Sequence, residues 1–219
     1  MADELQTEVR SLPRIGEPAP DFEADSTQGP LRLSNYRGKW VMLFSHPADF
    51  TPVCTTEFMA FAQANGEFEK RNVQLIGLSV DSVPSHLAWL YYIEKELGVH
   101  IPYPVIADLK MEVSRLYGML HPGDSTTNTV RSVFFIDDQG IIRAMVYYPL
   151  SLGRSVPELL RVFDGLQFNQ REKLSTPVNW TVGDPAVYPA PANAEALHKR
   201  MEEDAGKPNL KAWWLKTTS

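Results

Sequence analysis

The sequence contains a single cysteine, Cys54. An intrachain disulfide and a thiolate metal cage are therefore both excluded, and a functional cysteine here acts as a free thiol, as expected in a reducing compartment. Long apolar runs are missing as well: the densest, residues 40–44 and 75–80, have the length of strands and fall short of the roughly 18 residues a membrane span needs. Positive charge is in deficit, with 21 Lys and Arg against 27 Asp and Glu and a net charge of −6. That sign disfavours nucleic acid and anionic membrane surfaces, and neither is expected as a partner. Residues 1–10 carry Asp3, Glu4 and Glu8 with no basic start and no apolar stretch, unlike a secretory signal, so a cytoplasmic address is expected. No Gly-x-Gly-x-x-Gly run or Walker loop occurs, which leaves no nucleotide cofactor indicated. His86, His100, His121 and His198 lack metal-ligand spacing, and no metal is expected.

What is present is a 219-residue chain, 43% apolar, long enough to bury a sizeable core. Residues 39–45 and 73–80 read as buried strands, and between them residues 53–72 place Phe58, Phe61, Ala62 and Phe68 near one helical face. A helix over 82–97 stops at Gly98, a short strand covers 105–107, and a brief helix over 111–117 closes at Gly118. Strands over 133–136 and 141–147 flank Asp137-Asp138-Gln139-Gly140, a hairpin turn, and are expected to pair antiparallel. Ser155-Val156-Pro157-Glu158 reads as a capping box that opens a helix with Val156, Leu159, Leu160, Phe163 and Leu166 on its core face. The alternation predicts an α/β fold, a mixed sheet covered by helices on both faces. Proline and glycine become dense after about residue 174, which suggests an extended C-terminal arm over 173–219 following a domain over 1–172.

The chemistry gathers in Ser45-His46-Pro47-Ala48-Asp49-Phe50-Thr51-Pro52-Val53-Cys54, between the first central strand and its helix. In an open α/β sheet this carboxyl edge is where ligands bind. Thr51 suits the N-cap and Pro52 the first helical position, so Cys54 falls third, where unpaired N–H groups and the helix dipole favour an anion. A thiolate is such an anion. Pro47-x-x-x-Thr51-x-x-Cys54 resembles the active-site motif of the peroxiredoxins, thiol peroxidases of thioredoxin-like fold, and the longer string resembles their one-cysteine branch.

The resemblance implies that Cys54 attacks a peroxide oxygen and becomes a sulfenic acid, with hydrogen peroxide or an organic hydroperoxide as substrate. It implies further that Thr51 hydrogen-bonds the reacting groups, that Pro47 shapes the pocket, and that Arg131 holds the thiolate and polarises the peroxide. Glu57, three residues past Cys54, lies near the same helical side and would fix Arg131 by ion pairing; a merely exposed first-turn acid is the competing reading. Arg154 matches a second arginine behind the cysteine, and His46 a histidine near the thiol. For both, a structural role weighs about as much. Relatives with two cysteines carry a resolving Cys-Pro pair at the start of the arm, where this chain has Thr176-Pro177. The sulfenic acid is then left to an external thiol, whether glutathione, a thioredoxin-like protein or another cellular thiol. A homodimer or ring of dimers is implied, with Trp213-Trp214 as candidate contacts. A peroxide-switched holdase or signalling module is the alternative. A thioredoxin-type oxidoreductase is disfavoured, since Thr51 stands where Cys-x-x-Cys would need its first thiol.

Overall fold

The computed structural model describes residues 12–218, so the acidic N-terminal stretch lies outside the described residues. Two compact units are present, one ending at Val156 and the other starting at Pro157. The first is built on a seven-stranded sheet: β1 (Glu23–Ser26), β2 (Gly29–Arg32), β3 (Trp40–Ser45), β4 (Val73–Ser79), β5 (Val105–Ala107), β6 (Arg131–Ile136) and β7 (Ile142–Tyr148), in the spatial order β2-β1-β5-β4-β3-β6-β7. β3, β4 and β5 run parallel, whereas β6, β7 and β1 pair antiparallel with their neighbours, including the expected β6–β7 hairpin. The mixed sheet of the α/β expectation is observed.

Side-chain alternation along β3 explains why this strand sits at the centre. Val41 and Leu43 join Ile76, Leu78, Phe134 and Ile136 in one buried cluster, while Phe44 points the other way and meets Phe58, Phe61 and Tyr103 edge to face. Both faces are covered, so the strand reads as continuously apolar rather than alternating.

Among the described residues four helices accompany the sheet in this unit, α1 (Pro52–Gln63), α2 (Asn65–Lys70), α3 (Val83–Leu97) and α4 (Glu112–Leu116), with a 3₁₀ turn over Leu33–Tyr36. The single helix expected over 53–72 is broken at Ala64, where φ is −89° and ψ is 0°. The weak helix formers Asn65 and Gly66 follow at once, which accounts for the break. Helix α3 behaves as its ends predict: Ser82 accepts a hydrogen bond from the N–H of Ser85, and Gly98 closes the helix at φ 71°. The short hairpin β1–β2 is not legible in the sequence, since Thr27-Gln28 between two four-residue strands carries little pattern.

The second unit holds most of α5 (Val156–Glu172), then α6 (Ala194–Asp204) and the hairpin of β8 (Leu210–Ala212) with β9 (Leu215–Lys216). Leu159 and Phe163 are buried, and Val156, Leu160 and Leu166 are partly so. The arm expected to be extended is folded back on itself: Ser175 and Val187 exchange backbone hydrogen bonds, and Tyr188 N–H donates to the carbonyl of Lys216. The proline-rich spacing conceals this, because α6 depends on a single cap, Asn193, and the hairpin on Asp204, which binds both Lys207 and Lys216. Trp213 and Trp214 pack edge to face and stay exposed.

One close approach in the first unit is testable. A Cβ on Gly77 of β4 would lie 3.2 Å from the ring of Phe44 and 3.3 Å from that of Phe58. Gly77→Val is expected to destabilise the fold by about 1–3 kcal/mol through overpacking, read as a lower urea midpoint at unchanged slope.

Candidate active site

Strand β3 delivers the loop 46–51 at its carboxyl end, and helix α1 begins directly after it. Thr51 occupies the N-cap with extended backbone, Pro52 the first helical position and Cys54 the third, as the residue types predict. The Thr51 side chain differs from expectation: it makes no capping bond, and its hydroxyl donates to the carbonyl of Ala48 at 2.9 Å. Its one proton is thereby used, and what remains is acceptor capacity. Phe50, just before it, holds a left-handed φ of 54°, a conformation costly for a bulky residue. Pro47 is buried.

Cys54 is fully buried, at 0% exposure, and Arg131 from the start of β6 donates from Nη1 to its Sγ at 3.3 Å. The same Nη1 donates to Glu57 Oε2 at 2.7 Å, the ion pair read from the sequence. Arg131 is anchored at its other edge, where Nε and Nη2 both donate to the carbonyl of Leu150, at 2.9 and 2.7 Å. Four of the five guanidinium hydrogens are thus committed, and one on Nη2 has no partner among the described residues.

Arg154 lies one step further back. Its Nε and Nη2 grip the two oxygens of Glu57 at 2.8 and 2.7 Å, and its own backbone N–H donates to Oε1 at 2.8 Å. Its Nη1 donates to the carbonyls of Ser45 and Ser132, tying β3 to β6 at the edge where the cysteine sits. The guanidinium rests on the rings of Phe44 and Phe61 at 5.2 and 5.4 Å. Arg154 thus spends its donors on Glu57 and these carbonyls rather than on the sulfur.

His46 points its Nε2 at Asp49 Oδ1, 3.1 Å away, and its ring stacks on Trp89 at 5.3 Å. Nδ1 of the same ring is buried without a hydrogen-bond partner. Burial pushes the imidazole below its usual range against the pull of Asp49, and Nε2, facing the carboxylate, is the nitrogen suited to carry a proton. Asp49 also receives His86 Nδ1 at 2.9 Å and Ser85 Oγ at 2.7 Å, while His86 Nε2 donates to the carbonyl of Ile106 at 3.1 Å. Both His86 nitrogens thus face oxygen acceptors. Burial raises the Asp49 carboxyl, but the hydrogen bonds from the two histidine rings outweigh it and hold the group well below the usual carboxylate range.

This second network is not legible in the sequence, where His86 shows no ligand spacing. Asp49, three residues after His46, is the one local signal. The donor atoms of His46, Asp49 and His86 lie within 4.8 Å of one another, but the nitrogens meet the carboxylate directly, in hydrogen bonds. His100 pairs with Glu94, and His121 stacks on Tyr147, each outside the site.

A family model described as AhpC/TSA matches residues 15–145. The chain belongs to that family, the peroxiredoxins. A peroxiredoxin of Aquifex aeolicus is 54% identical over 208 residues, spanning 90% of this chain and 93% of its own. Peroxiredoxin 2 of Caldanaerobacter subterraneus subsp. tengcongensis is 54% identical over 195 residues, or 89% and 88% of the two chains. The solved structure of a yeast mitochondrial 1-Cys peroxiredoxin superimposes with a TM-score of 0.82 at 41% identity, covering 94% of this chain and 98% of that one. This peroxiredoxin is a thiol peroxidase of the thioredoxin-like fold, and its single cysteine fits the one-cysteine branch.

The Glu57 clasp has a pH signature. Burial alone would raise the Glu57 carboxyl, but the charge and hydrogen bonds of Arg154 and the charge of Arg131 more than offset this and lower it. With the folded value below the unfolded value of about 4.3, the unfolded chain binds the extra proton on acidification. The contribution of Glu57 is full above that value and lost as pH falls through the folded value; Asp49 adds to the same acid-side loss. Urea unfolding between pH 7 and 3 is expected to show this decline. In Glu57→Gln stability at pH 7 falls by roughly 3–5 kcal/mol, as for a broken buried ion pair, and part of the acid dependence disappears.

Proposed function

We propose that Cys54 is the peroxidatic nucleophile, acting as a thiolate on hydrogen peroxide and organic hydroperoxides. The observation that carries this reading is the Arg131 guanidinium, bonded to Sγ at 3.3 Å while one Nη2 hydrogen stays uncommitted. Two buried arginines face one buried carboxylate, so a thiolate at Cys54 completes the charge balance. The sulfur attacks the terminal oxygen of R–O–OH, the O–O bond breaks, and RO⁻ leaves to take a proton from solvent or the site, with Cys–SOH remaining. Arg131 stabilises charge developing on the leaving oxygen through its spare hydrogen. The Thr51 hydroxyl, with its proton held by Ala48, accepts a hydrogen bond from the hydroperoxide O–H. Pro47 closes the pocket against water, and Glu57 and Arg154 hold Arg131 in place. For His46 the proposed role is to tune the oxidised sulfur, and its Nδ1, buried without a partner, is the atom available for it.

Reduction of the sulfenic acid falls to an external thiol, since Cys54 is the chain's only cysteine and Thr176 precedes Pro177 at the start of the arm. One thiol displaces water to give a mixed disulfide, and a second releases Cys54. In the yeast mitochondrial 1-Cys peroxiredoxin, thiol resolution runs via glutathione and thioredoxin systems, and the same donor classes are proposed here. With Sγ fully buried, a donor reaches it only after the surroundings of Cys54 open. We take residues 1–172 as the peroxidase domain, the arm over 173–219 with its exposed Trp213 and Trp214 as contacts of a homodimer or ring of dimers, and the cytoplasm as the location.

Peroxide consumption with glutathione or thioredoxin as donor tests the reading. Cys54→Ser is expected to abolish turnover, and Arg131→Lys to lower the rate constant for peroxide about 10²–10³-fold, as for a lost transition-state donor. One equivalent of peroxide should add one oxygen to the intact mass, and the matching thiol should remove it. Turnover surviving in Cys54→Ser, or peroxide-dependent client binding with no turnover, overturns the assignment.

A further inference from the structure

We propose that Asp124, on the surface loop between α4 and β6, is a positioning residue for Arg131, acting through the peptide of Leu150. The proposal rests on the reading of Arg131 given above. Both hydrogen bonds along the inner edge of that guanidinium end on one atom, the carbonyl oxygen of Leu150. Since a carbonyl oxygen has two lone pairs, Arg131 saturates it, and its place fixes the plane of the guanidinium. Leu150 lies in the irregular segment after β7, and its N–H donates to Asp124 Oδ2 at 3.0 Å. The residue is held from both ends of its backbone, by a carboxylate on one side and by the arginine on the other.

The loop that presents Asp124 is itself anchored. His121 stacks on Tyr147 near the end of β7, with centroids 5.3 Å apart at 22°. The N–H groups of Asp124 and Ser125 both donate to the carbonyl of His121, which makes a tight turn of this stretch. Asp124 therefore reaches Leu150 from a turn seated on the same strand. A planar guanidinium with four hydrogens committed has one direction left for the fifth. A shift of the Leu150 carbonyl would rotate that hydrogen away from the peroxide oxygen it serves. Asp124 is exposed, and its carboxylate bonds the Leu150 N–H rather than Cys54, Glu57 or Arg131, so its influence passes through the Leu150 backbone.

The test compares D124A and D124N with the full-length protein, by stopped-flow reaction with hydrogen peroxide and by alkylation of Cys54 with iodoacetamide. Alkylation breaks no O–O bond and reports the thiolate alone. Loss of one ordinary hydrogen bond corresponds to about a fivefold drop in rate, expected in D124A for peroxide and not for iodoacetamide. D124N keeps an oxygen acceptor and should restore the peroxide rate. A D124A rate equal to the parent's, a D124N rate as slow as D124A, or an equal fall in alkylation overturns the proposal. If the unaltered protein consumes no peroxide, the peroxidase reading fails and the positioning role fails with it.

Discussion

The carboxylate of Glu57 is the pivot of the molecule's chemistry. Its four lone-pair positions are filled by the backbone N–H and Nε of Arg154 on one oxygen, and by Arg131 Nη1 and Arg154 Nη2 on the other. Two guanidinium charges thus meet one carboxylate where water is excluded, leaving a surplus positive charge beside a buried sulfur. An uncompensated charge in such surroundings is costly, and an anion at Cys54 cancels it. In the proposed function stability and reactivity share one source: the ions that lock α1 against β3 and β6 are the ions set to receive a thiolate at Cys54.

That clasp also explains why arginine, and not lysine, occupies both positions. Arg154 addresses both oxygens of one carboxylate and two backbone carbonyls with a single rigid fork. Arg131 divides its donors among a carboxylate, a sulfur and a carbonyl. A point charge on a flexible stem has neither the number of donors nor the fixed directions.

A second buried network lies along the other flank of the loop. Asp49 gathers His46, His86 and Ser85, while its own N–H donates to Asp81 at 3.0 Å. This set ties the loop after β3 to the end of β4 and the first turn of α3, and it supports the left-handed backbone of Phe50. It also orients His46: with Nε2 turned to Asp49, the opposite nitrogen is buried without a partner among the described residues. An unpaired buried nitrogen has a cost, and such groups concentrate at functional sites.

What the chain determines by itself is what can be decided within a turn or two of helix or along one strand. The N-cap at Thr51, Pro52 at the first helical position and Cys54 at the third follow from the preferences of neighbouring residues, as do the strands β3 and β4 and the cap and stop of α3. The pairing of Glu57 with Arg131 was legible because Glu57 stands three residues past Cys54 on one helix and the family resemblance pointed to Arg131. The break at Ala64, the β1–β2 hairpin, and α6 with its following hairpin were not, since each depends on weak local signals. Only the tertiary structure brought His86 to Asp49, Arg154 onto Glu57 and Asp124 to Leu150, across separations of 37, 97 and 26 residues. The reason is physical: propensity, capping and dipole act between neighbours, whereas which lone pairs are filled, and which donor is left over for substrate, is decided by distant segments meeting where no water can substitute.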